Sequence, residues 1–419
     1  MSASHVIIGD GIAGSSAAET IREADAEAEV TVITDEGEAL YNRILIKEFA
    51  KGKMPAGPIS IHEEDWYEER DITLKLNTHV NRVDTDAHEI HTHEGETIEY
   101  DTLLIATGGT PTQLPVPGSD ARGIHHFWTF QDARGIREHA EAADTGAVIG
   151  AGLLGIDLAA ICGAQDVEAN YLMRGNAWWR YALSEEGAEI IHDALRENGV
   201  TPVFESGVDH FDVKDGRVVG VEDPNADYYD ADFVGVAIGL NYNTEFLQGS
   251  GIERTDDGSI VVDEHMRTNT EDVYAAGDLT YFYDVILGDQ AQNGAWGSAK
   301  EQGSIAGRNM VGDMGADVEE ATFEWVSSYS ITHFDFPFLS FGHPTLGDDS
   351  VEQKYSDTEW RRVAIKDGKV VGGVLIGDLA PQSKLKKLAR NQVDVSDKKE
   401  FLLEETIDLE KFEPIEAEQ

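Results

Sequence analysis

Cysteine is nearly absent from this chain: Cys162 is the only one among 419 residues. A disulfide or a redox-active dithiol needs two thiols. Iron–sulfur clusters and structural zinc sites need about four ligands, usually thiolates. All of these are closed within one chain, and no metal is expected. Cys162 sits in the small-residue run LAAICGA, which suits buried packing better than reactivity. Basic residues are also scarce. Eighty Asp and Glu face thirty-two Lys and Arg, a formal net charge of −48. A surface that negative is repelled by phosphate backbones and anionic lipid, which argues against nucleic acid as a partner. Long apolar runs are missing too: no stretch reaches the roughly 18 residues that would span a bilayer. The start, MSASHVIIGDG, enters a strand at once, without a basic leader or a cleavage site. A soluble cytoplasmic protein is expected. Charge on this scale weakens a compact state in dilute buffer. Molar salt shortens the Debye length to roughly 3 Å and relieves the repulsion. The acid is spread along the whole chain, as suits the salt-filled cytoplasm of a halophile.

What the chain does have is glycine and a repeated plan. Its 42 glycines and 41% hydrophobic content fit a globular α/β protein, and its length fits two or three domains. His5-Val6-Ile7-Ile8 leads into Gly9-Asp10-Gly11-Ile12-Ala13-Gly14 and then AGSSAAETIREAD, which reads as strand, glycine turn, helix. Ala147-Val148-Ile149, Gly150-Ala151-Gly152-Leu153-Leu154-Gly155 and IDLAAICG repeat it. Each copy is followed by short alternating runs, and the Asp215-Gly216 pair in the second is a hairpin signal. Each then reaches a buried strand running from aspartate to glycine, Asp101 to Gly108 and Asp232 to Gly239, with the same spacing. This is a duplicated nucleotide-binding domain with a small antiparallel insert. The reading is residues 1–118 and 239–319 for a first, FAD-binding domain, 119–238 for a second, NAD(P)-binding domain, and 320–419 for a small α+β C-terminal domain. The final EPIEAEQ reads as a solvated tail.

The glycine motifs have a physical task. Gly9 permits the tight turn, Gly11 lets the backbone approach a pyrophosphate at the helix N-terminus, and Gly14 lets helix and strand pack closely. Gly150, Gly152 and Gly155 repeat those roles. A carboxylate closing the next strand should hold ribose hydroxyls; Asp35 and Glu36 follow VTVIT in the first copy. In the second copy that place holds Met173 and Arg174. A missing acid beside an arginine suits the 2′-phosphate of NADPH, while a solvated Arg174 leaves NADH open.

Two such motifs, ATGG after the first insert, and TNTEDVYAAGD at 268–278 together resemble the FAD-dependent pyridine nucleotide-disulfide oxidoreductases. Similarity within that superfamily is greatest to rubredoxin and ferredoxin reductases and to the flavin half of NADH-dependent nitrite reductase. The resemblance implies two Rossmann-type, glutathione-reductase-like domains plus the C-terminal domain, with FAD and NADH or NADPH as cofactors. It implies that Asp278 of YAAGD bonds the ribityl chain, with Gly277 allowing close approach. It further implies cofactor contacts at Ala13, Val80, Ala106, Thr107, Gly108, Leu154 and Gly239. The family's YxRPxLSK segment, with an arginine and a lysine beside the flavin, is matched by YNRILIK, hence Arg43 and Lys47. Trp296 matches an aromatic beside the flavin pyrimidine. Asp157 stands where the family has a glutamate facing the nicotinamide. Lys47 and Asp157 are the candidate catalytic pair, expected to meet as a partly buried ion pair.

The departures from the family matter as much. There is no CxxxxC after the first motif, and Asn42 occupies the place of a peroxidase-type cysteine. Electrons must therefore leave the flavin directly. The expected activity is NAD(P)H-dependent reduction of a small electron carrier such as ferredoxin or rubredoxin, by a monomer or homodimer. Two alternatives remain open at this stage. One is an oxidase or quinone-type reductase with a small-molecule acceptor. The other is a flavin-bound NADH-sensing protein resembling apoptosis-inducing factor. The densest basic cluster, Lys384, Lys386, Lys387 and Arg390 in SKLKKLARN, is a candidate docking face for an acidic carrier.

Overall fold

The computed structural model describes residues 2–284, 286–331, 333 and 337–412, so the tail read from EPIEAEQ lies outside the described residues. Contacts divide the chain into two compact units. The first is Met1–Asn42, Ile59–Thr110 and Asn241–Ser327; the second is Arg43–Pro58, Pro111–Leu240 and Ser328–Gln419. In chain order, the elements that position the sites begin with β1 (Ser4–Ile8), α1 (Ile12–Ala24), β2 (Glu29–Ile33), α2 (Ile46–Ala50), β3 (Ile72–Lys75) and β4 (Thr102–Ile105). They continue with β5 (Ile124–His126), β6 (Thr145–Ile149), α3 (Leu153–Ala164), β7 (Glu168–Leu172), β8 (Val200–Val203) and β9 (Phe233–Val236). The last are β10 (Val273–Ala275), α4 (Trp296–Asp313) and β11 (Ser328–Ile331).

The first unit is built on a five-stranded parallel sheet in the order β10-β4-β1-β2-β3. Its central strands are short apolar runs, and Val6, Ile7, Leu103, Leu104 and Ile105 are fully buried, as befits a sheet covered on both faces. The second unit has the same sheet in the order β5-β9-β6-β7-β8, again parallel. In both, the strand before the glycine motif is central and the strand after the motif helix lies beside it. The topology thus repeats as the sequence does. Each unit also carries a three-stranded antiparallel sheet, from Val80 to Glu99 in the first and from His210 to Asp230 in the second. The second adds a five-stranded antiparallel sheet that runs from β11 to Lys369–Ile376 and is followed by the helix Gln382–Arg390.

Candidate functional site

In the first unit β1 ends at Ile8 and the chain turns sharply into α1. Gly9 takes φ +112°, and a Cβ there would lie 2.2 Å from the Ala106 carbonyl oxygen, so no larger residue fits. Gly11 is the N-cap of α1 and no side chain caps the helix. A Cβ added at Gly11 would meet nothing within 4 Å. Open space in front of uncapped amides fits a pyrophosphate. At this turn Ala13, Gly14 and Ala106 are buried, with Thr107 and Gly108 part-exposed at the end of β4, while Val80 is buried in the antiparallel sheet, paired with Thr92. Gly277 donates its amide to Gln302 Oε1 at 2.8 Å, and Asp278 follows it at the end of β10. Trp296 opens α4 and is half-buried. Of the two acids after β2, Asp35 is exposed and holds His79 Nδ1 at 2.8 Å, while Glu36 accepts from the Tyr41 hydroxyl at 2.6 Å.

The second unit repeats the turn. Gly150 takes φ +116° with the Ala237 carbonyl oxygen 2.0 Å from a would-be Cβ, and Gly152 caps α3 with open space before it. Leu154 and Gly155 lie in the first turn of α3, and Gly239 sits exposed beyond β9. Met173 is fully buried at the end of β7, and Arg174 beside it is exposed. Arg180, absent from the sequence reading, folds back over Gly175: a Cβ added there would lie 2.8 Å from Arg180 Cδ. Arg180 bonds the Tyr181 hydroxyl at 2.7 Å, and among the described residues no ion pair holds either arginine. In a chain with 2.5 acids for every base, two cations left beside the vacant acid position suit an anion from outside. The acid-to-base ratio follows from eighty acidic and thirty-two basic residues.

Asp157 lies one turn into α3, and Lys47 lies on α2 within the same unit. Lys47 Nζ is 3.4 Å from Asp157 Oδ1, with side chains only 10% and 5% exposed. Four further groups complete the cluster. His333 Nε2 lies 2.6 Å from Asp157 Oδ1, the Tyr329 hydroxyl donates to Asp157 Oδ2 at 3.0 Å, and Lys51 Nζ lies 2.8 Å from both His333 Nδ1 and Glu48 Oε1. Burial by itself would push the Asp157 carboxyl up. The His333 hydrogen bond, the Lys47 charge and the Tyr329 hydroxyl outweigh it and hold the group below the ordinary carboxylate value. Burial lowers His333 below the usual imidazole value in spite of its bond to Asp157, and Lys51 and Lys47 reinforce that. Arg43 donates to the Trp128 carbonyl at 3.0 Å.

Sequence reasoning missed His333, Tyr329, Lys51 and Glu48. Lys51 and Glu48 follow Lys47 closely and were within reach. His333 is 176 positions from Asp157 and carries no motif. Cys162 is fully buried on α3, and burial pushes its thiol up to about 12, which leaves it inert at neutral pH. Of the basic cluster in Gln382–Arg390, Lys384 is spent on the Ile407 carbonyl and Lys386 is part-buried, while Lys387 and Arg390 are exposed. Among the described residues no group of His, Cys, Asp and Glu could hold a metal ion, and no helix is long and apolar enough to cross a membrane.

Comparison with known proteins gives this geometry a context. Residues 3–303 match the family described as pyridine nucleotide-disulphide oxidoreductase, and residues 330–393 match the rubredoxin NAD+ reductase C-terminal domain. Nitrite reductase [NAD(P)H] of Bacillus subtilis (strain 168) is 27% identical over 397 residues, which are 94% of this chain and 48% of that protein. The chain thus spans about half the length of this curated relative. Among solved structures, putidaredoxin reductase in its covalent complex with putidaredoxin superposes with a TM-score of 0.89 at 22% identity, over 98% of this chain and 97% of that one. An engineered water-forming NADPH oxidase bound to NADPH superposes with a TM-score of 0.84 at 20% identity, over 97% and 94% of the two chains. A family match over more than half of its length places the chain in the pyridine nucleotide-disulphide oxidoreductase family, whose members depend on FAD and use NAD(P)H.

Proposed function

We propose that this protein is an FAD-dependent NADPH oxidoreductase that delivers electrons to a small carrier protein of the ferredoxin or rubredoxin type. The observation that carries the reading is the doubled nucleotide-binding fold in a chain with one inert thiol. Electrons that enter from a nicotinamide then have no thiol of this chain to rest on. FAD, where these residues hold it, would supply a hydride acceptor for the nicotinamide and a one-electron donor for the carrier. The chain's own part is to bind and to orient. Gly9, Gly11 and Gly14 place the α1 amides against one pyrophosphate; Gly150, Gly152 and Gly155 place the α3 amides against the other. Ala13, Val80, Ala106, Thr107, Gly108, Gly277, Asp278 and Trp296 line the first site in this reading, with Asp35 and Glu36 toward the ribose. Leu154 and Gly239 belong with Arg43 to the second unit, where Asp157 and Lys47 form the polar pair at the nicotinamide end.

Arg174 and Arg180 favour NADPH over NADH. Among the described residues neither has a carboxylate partner, and Arg174 follows a buried methionine where an NAD site would put an acid. They stand six positions apart. The engineered NADPH oxidase carries an aspartate replaced by alanine, an arginine gained at the next position, and a second arginine gained six positions later. A carrier partner is supported by the C-terminal match to rubredoxin NAD+ reductase and by the partner protein bound in the putidaredoxin reductase complex. Lys387 and Arg390 are its candidate contacts.

The test is anaerobic stopped-flow reduction by NADPH and by NADH, followed by a panel of ferredoxins, rubredoxins, quinones and oxygen. Rapid bleaching of the flavin by NADPH and rapid reoxidation by a carrier protein are expected. Steady oxygen consumption with no carrier turnover would make the protein an oxidase instead, and a long-lived reduced complex that reacts with nothing would make it a sensor. The −48 charge points to a molar-salt interior, so melting temperature and FAD retention should fall together as salt is withdrawn. A melting temperature indifferent to salt would end the halophile argument.

A further inference from the structure

The cluster around Asp157 holds a histidine whose protonation state is dictated by its neighbours. Lys51 Nζ is 2.8 Å from His333 Nδ1, and an ammonium can only donate, so Nδ1 must accept. The ring proton then sits on Nε2, which lies 2.6 Å from Asp157 Oδ1 and donates to it. Burial lowers Lys51 below the ordinary lysine value, and the half-buried Glu48 carboxylate 2.8 Å away opposes that and favours its ammonium form. The His333 side chain is 1% exposed, so water cannot substitute for either contact. Every link belongs to the second unit: Lys47, Glu48 and Lys51 come from α2 and its C-cap, Asp157 from α3, and Tyr329 and His333 from β11 and the segment after it.

We propose that His333 is a positioning residue for nucleotide oxidation: clamped between Lys51 and Asp157 as the neutral Nε2–H tautomer, it fixes the Asp157 carboxylate and, through it, the Lys47 ammonium. This rests on the functional reading above, in which Asp157 and Lys47 attend the nicotinamide. A carboxylate one methylene shorter than glutamate reaches less far from α3, and three donors aimed at it from outside the helix supply the constraint. Those donors are His333 and Lys47 on Oδ1 and Tyr329 on Oδ2. Among the described residues, the charged and titratable groups around His333 include Asp157, Lys51, Lys47 and Glu48, with Tyr329 and Tyr171 near the carboxylate and Lys53 beyond Glu48. Protonation of His333 turns Nδ1 into a second donor facing the Lys51 ammonium. The clamp then cannot hold both contacts, and the arrangement fails on the acid side.

Flavin reduction by NADPH, measured in single turnover across pH on the FAD-loaded full chain, tests the idea in three variants. His333→Leu removes a hydrogen bond to a charged group and should slow reduction about ten- to a hundredfold. His333→Gln keeps an N–H donor for Asp157; it should recover most of that loss and abolish the acid limb attributable to His333. Lys51→Met removes the cation that opposes protonation, and the acid limb should move up by about one pH unit or more. A readout independent of turnover is the nitrogen chemical shifts of 15N-labelled histidine, with the His333 signal identified by its loss in His333→Gln. The neutral Nε2–H tautomer is expected near neutral pH, and it should titrate at higher pH in Lys51→Met. A protonated or Nδ1–H His333 in the native protein would overturn the proposal, as would a Lys51→Met variant whose signal and acid limb do not move. If instead neither nucleotide bleaches the flavin, the functional reading fails while the tautomer assignment still stands to be tested. Should His333→Leu not fold, the glutamine and methionine variants carry the test.

Discussion

The two nucleotide-binding units share a sheet order, a glycine turn and an uncapped helix, yet they close the strand after that helix in opposite ways. β2 gives way to Asp35 and Glu36, whereas β7 gives way to Met173 and Arg174. In the function proposed above, the backbone is thus a common device for holding a pyrophosphate, and the choice of nucleotide is left to side chains at one strand end. The units differ in their carboxylates as well. Asp35 is exposed with an exposed histidine as its partner; Asp157 is buried among cations.

The largest effect that separates these layers comes from the glycines. Gly150→Ala would put a Cβ 2.0 Å from the Ala237 carbonyl oxygen at φ +116°, and Gly9→Ala would do the same at 2.2 Å from that of Ala106. Each should destabilise its unit by several kcal/mol and prevent nucleotide binding, because backbone must shift to make room. Gly152→Ala and Gly11→Ala meet nothing within 4 Å, so they should melt like the native protein and lose affinity only. Calorimetry with nucleotide titration checks this. Equal melting losses at all four positions would mean the turn is not doing two separable jobs.

Next in size is the contrast between the carboxylates. Asp157→Ala strands Lys47 in a buried site, and loss of one partner from such a pair costs about 3–5 kcal/mol. Asp35→Ala removes a partner from the exposed His79, a contact worth about 0–1 kcal/mol. Thermal melts should therefore separate the two, while FAD retention responds only to Asp35→Ala if that acid holds the ribose. A smaller effect, confined to one nucleotide, is expected of Arg174→Ala and Arg180→Ala. Each should raise the KM for NADPH about ten- to a hundredfold, the equivalent of a charged hydrogen bond, with little change for NADH. Equal effects on both nucleotides would remove these arginines from specificity and leave the strand-end comparison without its functional content.

The doubling, the glycine turns and the strand-end residues were legible in the sequence because they are local: each is a motif of a few residues on one element. The approach of Lys47 to Asp157 was legible only through the resemblance of YNRILIK to a family segment, since the residues are 110 positions apart. The rest of the cluster was not legible. His333 reaches Asp157 from the C-terminal sheet, and no periodicity or spacing announces a lone histidine. Arg180 was hidden for another reason. It belongs to a loop whose path back over Gly175 depends on tertiary packing, with the neighbouring Trp178 indole bonded to the Gly152 carbonyl at 3.3 Å.

The smallest effect expected is on stability in mild acid, and here the units can be compared through one histidine each. Burial lowers His5 at the start of β1 to about 4, and burial together with His139 and His126 lowers His125 on β5 to about 4. Both folded values lie below the unfolded value of 6.5, so the unfolded chain binds more protons. The stability each contributes is whole above pH 6.5 and is lost as the pH falls toward 4. At pH 6 the loss is about 1 kcal/mol per histidine. His62, His126, His192 and His333 are lowered too, so the native limb is a sum, and only variant differences isolate a site. Buried carboxylates such as Asp157 add nothing in this window, because a depressed carboxyl loses its contribution only below the ordinary carboxylate range. The two histidines differ in what protonation would meet. His5 Nδ1 faces the Thr102 hydroxyl at 2.7 Å, which can turn to accept. His125 Nε2 faces His139 Nδ1 at 2.6 Å, where a second proton brings two like charges together. His125→Gln and His5→Gln should therefore each flatten the melting limb between pH 7.5 and 5.5 by a similar amount and part only as the pH nears 4, measured in molar salt so that surface repulsion is screened. Identical pH dependence in both variants and the native chain would show that neither histidine is held neutral by its unit.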